Sequence, residues 1–192
     1  MVQTNIDELI VFGGLSRPTE GVLNDCWRVA LRECKFSEEH EPRNVIVSEF
    51  KAQGRSPTAR YGHQCFLLRE VMYVFGGHLE LEEFDHSIYL LDIQNKIRSS
   101  FLPSFNTEIS SRASSMVMQL SSTEILVFGG TSTASTENRL EQTAILDLSS
   151  CGWSVPFLAG ERPETRCYCS SAQPTDSTML IIGGLFDKYC SM

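Results

Sequence analysis

Three arginines are the side chains of this sequence whose type and spacing most clearly suggest chemistry. Arg60, Arg112 and Arg166 each precede a pair of glycines, by 16, 17 and 17 residues. Guanidinium groups bind carboxylates through charge-assisted hydrogen bonds, so three of them gathered on one surface could hold an acidic peptide. The alternative is that each arginine makes a structural hydrogen bond or ion pair inside the fold. The sequence leaves both interpretations open.

A second group of charged side chains lies in the stretch HLELEEFDH at 78–86. Its four acidic residues are Glu80, Glu82, Glu83 and Asp85. Such a stretch is typical of a loop that either contacts a basic partner or stays solvated. The predicted partner-binding residues are Arg60, His63, Arg112, Arg166, His78, Glu82, Glu83 and Asp85.

Neither a metal site nor a catalytic site is predicted. His78 and His86 are eight residues apart, a spacing that fixes no coordination geometry. Cys167 and Cys169 put two thiols on one face of a strand, which favours packed or pore-lining positions over metal or redox use. The sequence has no nucleophile elbow, phosphate loop or zinc-protease motif. We therefore predict no catalytic residue and no cofactor.

Composition narrows the classes of partner. The formal net charge is −8, and a nucleic acid as the main partner would require a basic stripe instead. No apolar stretch is long enough for a membrane helix. The N-terminus carries Asp7 and Glu8 where a secretion signal would carry basic residues. Seven cysteines at irregular positions fit reduced thiols, so we expect a cytoplasmic or nuclear protein without nucleic-acid or membrane partners.

The elements that must position these side chains are repeated along the chain. Four glycine pairs stand at 13/14, 76/77, 129/130 and 183/184. An apolar run precedes each of them, in the words ELIVFGG, VMYVFGG, EILVFGG and MLIIGG. Such a run is typical of a strand that is covered on both faces. The spacing of 53 and 54 residues between the last three pairs indicates a repeat architecture.

Two further words recur in phase with the glycine pairs. An arginine opens a strand-like segment before three of the pairs, as in ARYGHQCFLL at 59–68. A third strand-like word follows three of the pairs, as in SIYLLDI at 87–93 and TAILDL at 143–148. A weaker fourth segment closes each unit. The repeat therefore predicts four short strands per unit and an all-β fold.

This pattern resembles the kelch repeat, the blade unit of a β-propeller. The residues that carry the resemblance are the Arg-x-Gly-His word at 60–63, the glycine pairs, the aromatic-Leu-Leu-Asp word at 89–92 and the spacing from Asp147 to Trp153. His63 is replaced by Ser115 and Cys169 in the other units. We predict units at about 1–56, 57–108 and 109–162, with a partial unit at 163–192. The first unit is expected to begin at its second strand and to have three strands.

The resemblance implies an incomplete ring of three to three and a half four-stranded blades. A piece of a longer propeller and a ring completed by self-association are both open. The function it implies is a non-enzymatic interaction module, an adaptor or substrate-recognition subunit that presents loops to a protein or peptide partner. The alternatives are a regulatory or catalytic part of a kelch-containing enzyme and a structural assembly component.

Overall fold

A computed structural model describes residues 1–5, 7–16, 21–32, 44–80, 85–104, 112–131 and 143–185. All the regular structure in these ranges is β-strand. A search of the same residues for a helix able to cross a membrane found none.

The described strands form four antiparallel sheets, each with its strands in chain order. Sheet I consists of β1 (Val2–Asn5), β2 (Glu8–Ser16), β3 (Gly21–Arg32) and β4 (Asn44–Glu49). Sheet II consists of β5 (Gln64–Leu68), β6 (Val71–Phe75), β7 (Ile88–Asp92) and β8 (Ile97–Phe101). Sheet III consists of β9 (Met116–Gln119), β10 (Glu124–Phe128), β11 (Ala144–Asp147) and β12 (Gly152–Ser154). Sheet IV consists of β13 (Ser170–Thr175) and β14 (Thr178–Ile182).

The predicted strand count of the first unit was wrong, because sheet I has four strands where the sequence predicted three. The missed strand is β1, in which Val2 pairs with Ile10 of β2. Its sequence, VQTN, is short and mostly polar, so it has no apolar run that would mark a strand. The predicted all-β fold, an incomplete ring of three to three and a half blades, is confirmed.

The sheets pack face to face around two apolar cores. Between sheets I and II, the core includes Ile10 and Phe12 of β2 together with Met72 and Val74 of β6. The second core joins sheets II and III and is built from Phe66, Phe75 and Ile88 of sheet II with Ile125, Val127, Leu146 and Trp153 of sheet III. The apolar runs before the glycine pairs are therefore the second strands of the blades, and they supply much of both cores.

The first strand of each sheet contacts the first strand of the next sheet along the chain. β1 contacts β5, β5 contacts β9, and β9 contacts β13. This is the arrangement of a propeller, in which the first strand of each blade lies nearest the axis. Sheet IV is far less covered than the others, because every residue of β13 is exposed.

Linkers tie the outer strand of one sheet to the outer strand of the next. Gln53 follows β4 and forms a parallel bridge with Ile97 at the start of β8. Ser104 follows β8 and forms the equivalent bridge with Gly152 of β12. Each linker thus adds hydrogen bonds to the outer edge of the following sheet before the chain turns inward to begin that sheet.

The antiparallel order puts two kinds of connection at opposite ends of the sheets. At the end that we call the loop end, the segments between second and third strands and the linkers between sheets emerge. The other end, which we call the turn end, carries the connections between first and second strands and between third and fourth strands, and in sheets II and III these are short turns. Asp92 and Asp147 close two of these turns by accepting hydrogen bonds from the N–H groups of Asn95 and Ser149.

Candidate functional site

Arg60 is the centre of a buried polar network at the loop end of sheet II. Its side chain has 0% exposure. The guanidinium donates to the carbonyl oxygens of Thr58 (2.9 Å) and Gly76 (3.0 Å) and forms an ion pair of 2.9 Å with Asp85. It also lies 5.0 Å from the centroid of the Tyr89 ring. Arg60 therefore joins the segment before β5 to the glycine pair and to the segment before β7.

Asp85 is held ionised by the groups around it. Its partial burial favours the neutral acid, but hydrogen bonds from the Tyr89 hydroxyl, the Ser87 N–H and Arg60 outweigh that effect and lower the pKa of Asp85 to about 2. The same burial and the Asp85 carboxylate raise the pKa of Tyr89. Tyr89 was missed as a site residue, although the sequence signal was present, since it is the aromatic residue of the aromatic-Leu-Leu-Asp word.

Arg112 and Arg166 occupy the equivalent positions in sheets III and IV. Arg112 donates to the carbonyl of Gly129 (3.3 Å) and is 2% exposed, and its burial lowers the pKa of the guanidinium to about 10. Arg166 donates to the carbonyls of Glu164 (3.0 Å) and Gly183 (3.4 Å) but is partly exposed. In all three sheets the arginine thus binds the carbonyl of the first glycine of the pair.

The main chain of each arginine also links neighbouring sheets. The carbonyl of Arg60 accepts a hydrogen bond from Gly14 of sheet I at 2.9 Å. The carbonyls of Arg112 and Arg166 likewise accept from Gly77 (3.0 Å) and Gly130 (3.1 Å) of the preceding sheets. Each arginine therefore fastens its own glycine pair with its side chain and the previous glycine pair with its backbone.

The two predicted histidines lie inside this framework. His63 packs edge-on against Phe12 of sheet I, with ring centroids 5.4 Å apart, and burial lowers the pKa of its imidazole to about 4. The backbone of His78 exchanges two hydrogen bonds with Tyr61, of 2.8 and 3.1 Å, and its side chain is 1% exposed. Thr131 pairs with Ala113 in the same way in sheet III.

One further set of equivalent residues lies where the first strands meet. Gly62, Ser114 and Tyr168 all have positive φ, of 64°, 54° and 56°. The N–H of Ser114 donates to the carbonyl of Gly62 (2.6 Å), and the N–H of Tyr168 donates to the carbonyl of Ser114 (3.3 Å). This line of hydrogen bonds crosses from sheet II to sheet III to sheet IV, and sequence reasoning did not identify it.

The structure brings some predicted site residues together and separates others. Arg60 and Asp85 are in direct contact, whereas the buried side chains of Arg60 and Arg112 face the interior of the fold. Glu82 and Glu83 lie outside the described residues. The role of the eight predicted positions in partner binding stays a prediction. In the described part of the chain, no group of three His, Cys, Asp or Glu side chains could hold a metal ion.

Comparison with known proteins agrees with this geometry. The model of the KLHDC2/KLHL20/DRC7 Kelch-repeats domain matches residues 1–192. The chain is also similar to acyl-CoA-binding domain-containing protein 4 of Arabidopsis thaliana, with 22% identity over 144 residues. That similarity covers 75% of this chain and 21% of the relative, so the chain corresponds to about a fifth of the relative's length. Kelch domains are generally protein-interaction modules and are typically not enzymes. The chain belongs to the kelch-repeat family, as this family match shows together with the four glycine pairs and the four sheets of the described residues.

Proposed function

We propose that this kelch domain binds a protein or peptide partner through the loop end of its sheets, as an adaptor or substrate-recognition subunit. The observation that carries the proposal is the rigid attachment of the loop end. Side chains and backbones of Arg60, Arg112 and Arg166 fix the glycine pairs at the base of the segments that emerge there. Irregular segments on a rigid scaffold are the usual place for binding residues.

The segment at 78–87 is the best supported contact region. Its first residue, His78, is fixed by backbone hydrogen bonds to Tyr61, and Asp85 near its other end is fixed by Arg60. Between these two anchors the sequence carries Glu80, Glu82 and Glu83. Because Asp85 is neutralised by Arg60, these three carboxylates supply the negative charge of the segment. We infer a partner with a basic surface or a basic peptide segment.

The test is affinity purification from cell extract with the whole chain as bait. A variant with Glu82→Gln and Glu83→Gln should lose the partners that the unchanged chain captures. The matched control carries Asp7→Asn and Glu70→Gln, which remove the same charge from exposed positions at the turn end. Equal capture by both variants, with both still folded, would contradict the proposal.

We also infer that the outermost sheet faces are covered in the working protein. The face of sheet I opposite the first core exposes Trp27, Val45 and Val47, and sheet IV exposes Leu180 and Ile182. These are apolar side chains of the kind that fill the two cores. Further kelch sheets in a longer chain or a second copy of this chain would cover them. Light scattering of the purified chain tests this, and a monodisperse monomer without association would count against both.

The cytoplasmic or nuclear location predicted from the sequence belongs to the same proposal, because it sets where such partners would be met. Fluorescence microscopy of a tagged chain would check it.

A further inference from the structure

A polar cleft at the turn end separates sheets III and IV. Its volume is about 460 Å³. One wall is residues 119–122, from the end of β9 and the turn that follows it, and the other is residues 173–176, from the end of β13 and the turn that follows it. A volume of several hundred cubic ångströms fits a small molecule or a single long side chain. The cleft lies at the opposite end of the sheets from the proposed loop-end surface.

Two equivalent glutamines hold the walls of the cleft together. The side chain of Gln173 donates to the carbonyl of Gln119 (2.7 Å) and accepts from the N–H of Gln119 (3.1 Å). The equivalent of Gln119 in sheet II is Leu67. Gln119 pairs with Ile125 of β10, and Leu67 pairs with Met72 at the corresponding position of β6. The turn in sheet II, where only Arg69 and Glu70 separate the strands, is also shorter than the turn of sheet III, which has residues 120–123. The glutamine pair thus distinguishes sheets III and IV from sheet II.

One wall is ordered by its own hydrogen bonds. The hydroxyl of Ser121 accepts from the N–H groups of Thr123 (3.2 Å) and Glu124 (3.1 Å). The Gln119 amide donates to the carbonyl of Ser121 at 3.2 Å. These contacts fix the turn without a ligand, so little conformational entropy would be lost when the cleft is filled.

The charge of the cleft determines what it can hold. Asp176 is the one charged residue among the lining residues, which otherwise offer hydroxyls, amides, two aliphatic side chains and backbone groups. An anion would meet no cation there, and a purely apolar group would leave the hydroxyls of Ser122 and Thr175 desolvated. A cation with several N–H donors satisfies the carboxylate and the neighbouring oxygen acceptors at once. We propose that this cleft binds the arginine or lysine side chain of a protein partner.

Binding of a single side chain is expected to be weak, with a dissociation constant on the order of 1 mM. An ion pair in contact with solvent contributes up to about 1 kcal/mol, so removing the carboxylate should weaken binding by up to about fivefold. The interaction should also weaken as salt is added, because exposed charges are screened.

The test uses the whole chain labelled with ¹⁵N and titrated with N-acetyl-arginine amide, followed by amide chemical shifts. N-acetyl-lysine amide is the second probe, and N-acetyl-citrulline amide is the neutral control of the same shape as arginine. We expect the amide shifts to concentrate in residues 120–122, 175 and 176, and we expect binding to be several-fold weaker with citrulline and weaker in Asp176→Asn.

The matched variant Glu70→Gln removes a carboxylate from the equivalent turn of sheet II and should bind like the unchanged chain. Shifts elsewhere only, equal binding of citrulline, unchanged binding by a folded Asp176→Asn variant, or no binding of either cationic probe would each overturn the proposal. Because Glu82 and Glu83 are not involved, the outcome is separate from the test of the loop-end surface.

Discussion

Arg60 of sheet II and Arg166 of sheet IV make the same local contacts in very different surroundings. Both side chains donate to the carbonyl two residues earlier and to the carbonyl of the first glycine of their pair. Arg60 is completely buried and ion-paired, whereas Arg166 is partly exposed. The repeated sequence motif thus specifies the hydrogen bonds of the arginine, while packing against neighbouring segments determines how much each arginine contributes to stability.

Removing the buried arginine should have the largest effect. Arg60→Met leaves Asp85 partly buried without its cation and two carbonyls without a donor, so we expect a loss of about 3 to 5 kcal/mol. Arg166→Met should cost about 1 kcal/mol or less, because water can replace its contacts. Urea denaturation of both variants measures the difference. Equal losses would show that burial does not set the contribution of this arginine.

The glycine pairs allow a second comparison between the same sheets. A Cβ on Gly76 would collide with the backbone oxygen of Arg112 in the next sheet, whereas a Cβ on Gly183 would meet nothing within 4 Å. Both residues have positive φ, of 64° and 71°. We expect Gly76→Ala to cost about 2 to 4 kcal/mol, from backbone strain and overpacking together.

Gly183→Ala should show the backbone strain alone, about 1 kcal/mol. Thermal unfolding of the two alanine variants side by side gives the measurement. If Gly183→Ala is as damaging as Gly76→Ala, the contact with the next sheet is not what requires glycine at position 76.

His63 should make stability depend on pH in a way that its counterpart in sheet IV, Cys169, does not. The pKa of His63 is about 4 in the folded protein, below its usual 6.5. Between about pH 7.5 and about pH 5 the unfolded chain therefore takes up a proton that the folded protein does not. Stability should fall by about 2 kcal/mol over this range.

His63→Ser, which introduces the residue that sheet III has at this position, should remove most of that fall. Urea denaturation at both ends of the pH range tests it. A variant that keeps the full pH dependence would assign the effect to another group.

The smallest expected effect concerns the line of positive-φ residues. Ser114 adopts the left-handed conformation that Gly62 adopts in sheet II, at φ 54°. Ser114→Gly relieves about 1 kcal/mol of strain and costs part of that in the entropy of the unfolded chain. We expect a net gain of about 0.5 kcal/mol, measured by thermal unfolding. A loss of stability would show that the Ser114 side chain contributes more than the strain that it causes.

The sequence predicted the parts of this fold that depend on short sequence motifs repeated along the chain. The apolar runs before the glycine pairs identified β2, β6, β10 and β14, because buried strands need continuous apolar residues. β1 was missed because its four residues contain no strand pattern of their own, and the segment is a strand only through its pairing with β2. The contact between Arg60 and Asp85 joins residues that are 25 apart in the sequence. The segment between them matches no spacing pattern that would predict this contact.

The candidate surfaces were less predictable than the fold. The acidic residues at 80–85 were visible as charges, but the inward position of Asp85 depends on Arg60 and Tyr89 together. The cleft between sheets III and IV is formed by two segments that lie 54 residues apart along the chain. Gln119 and Gln173 form hydrogen bonds with each other only because the two sheets lie side by side. Sequence periodicity aligns such residues without showing which of them touch.

The parallel bridges at Gln53 and Ser104 have a consequence for how the protein comes apart. Each linker contributes hydrogen bonds to a sheet whose other strands come later in the chain. Sheets II and III therefore cannot open without also releasing the end of the preceding sheet. Unfolding of sheets I to III should be cooperative rather than sheet by sheet, and the amide hydrogens of Arg98 and Trp153, which donate to the linkers, should exchange with those of the cores.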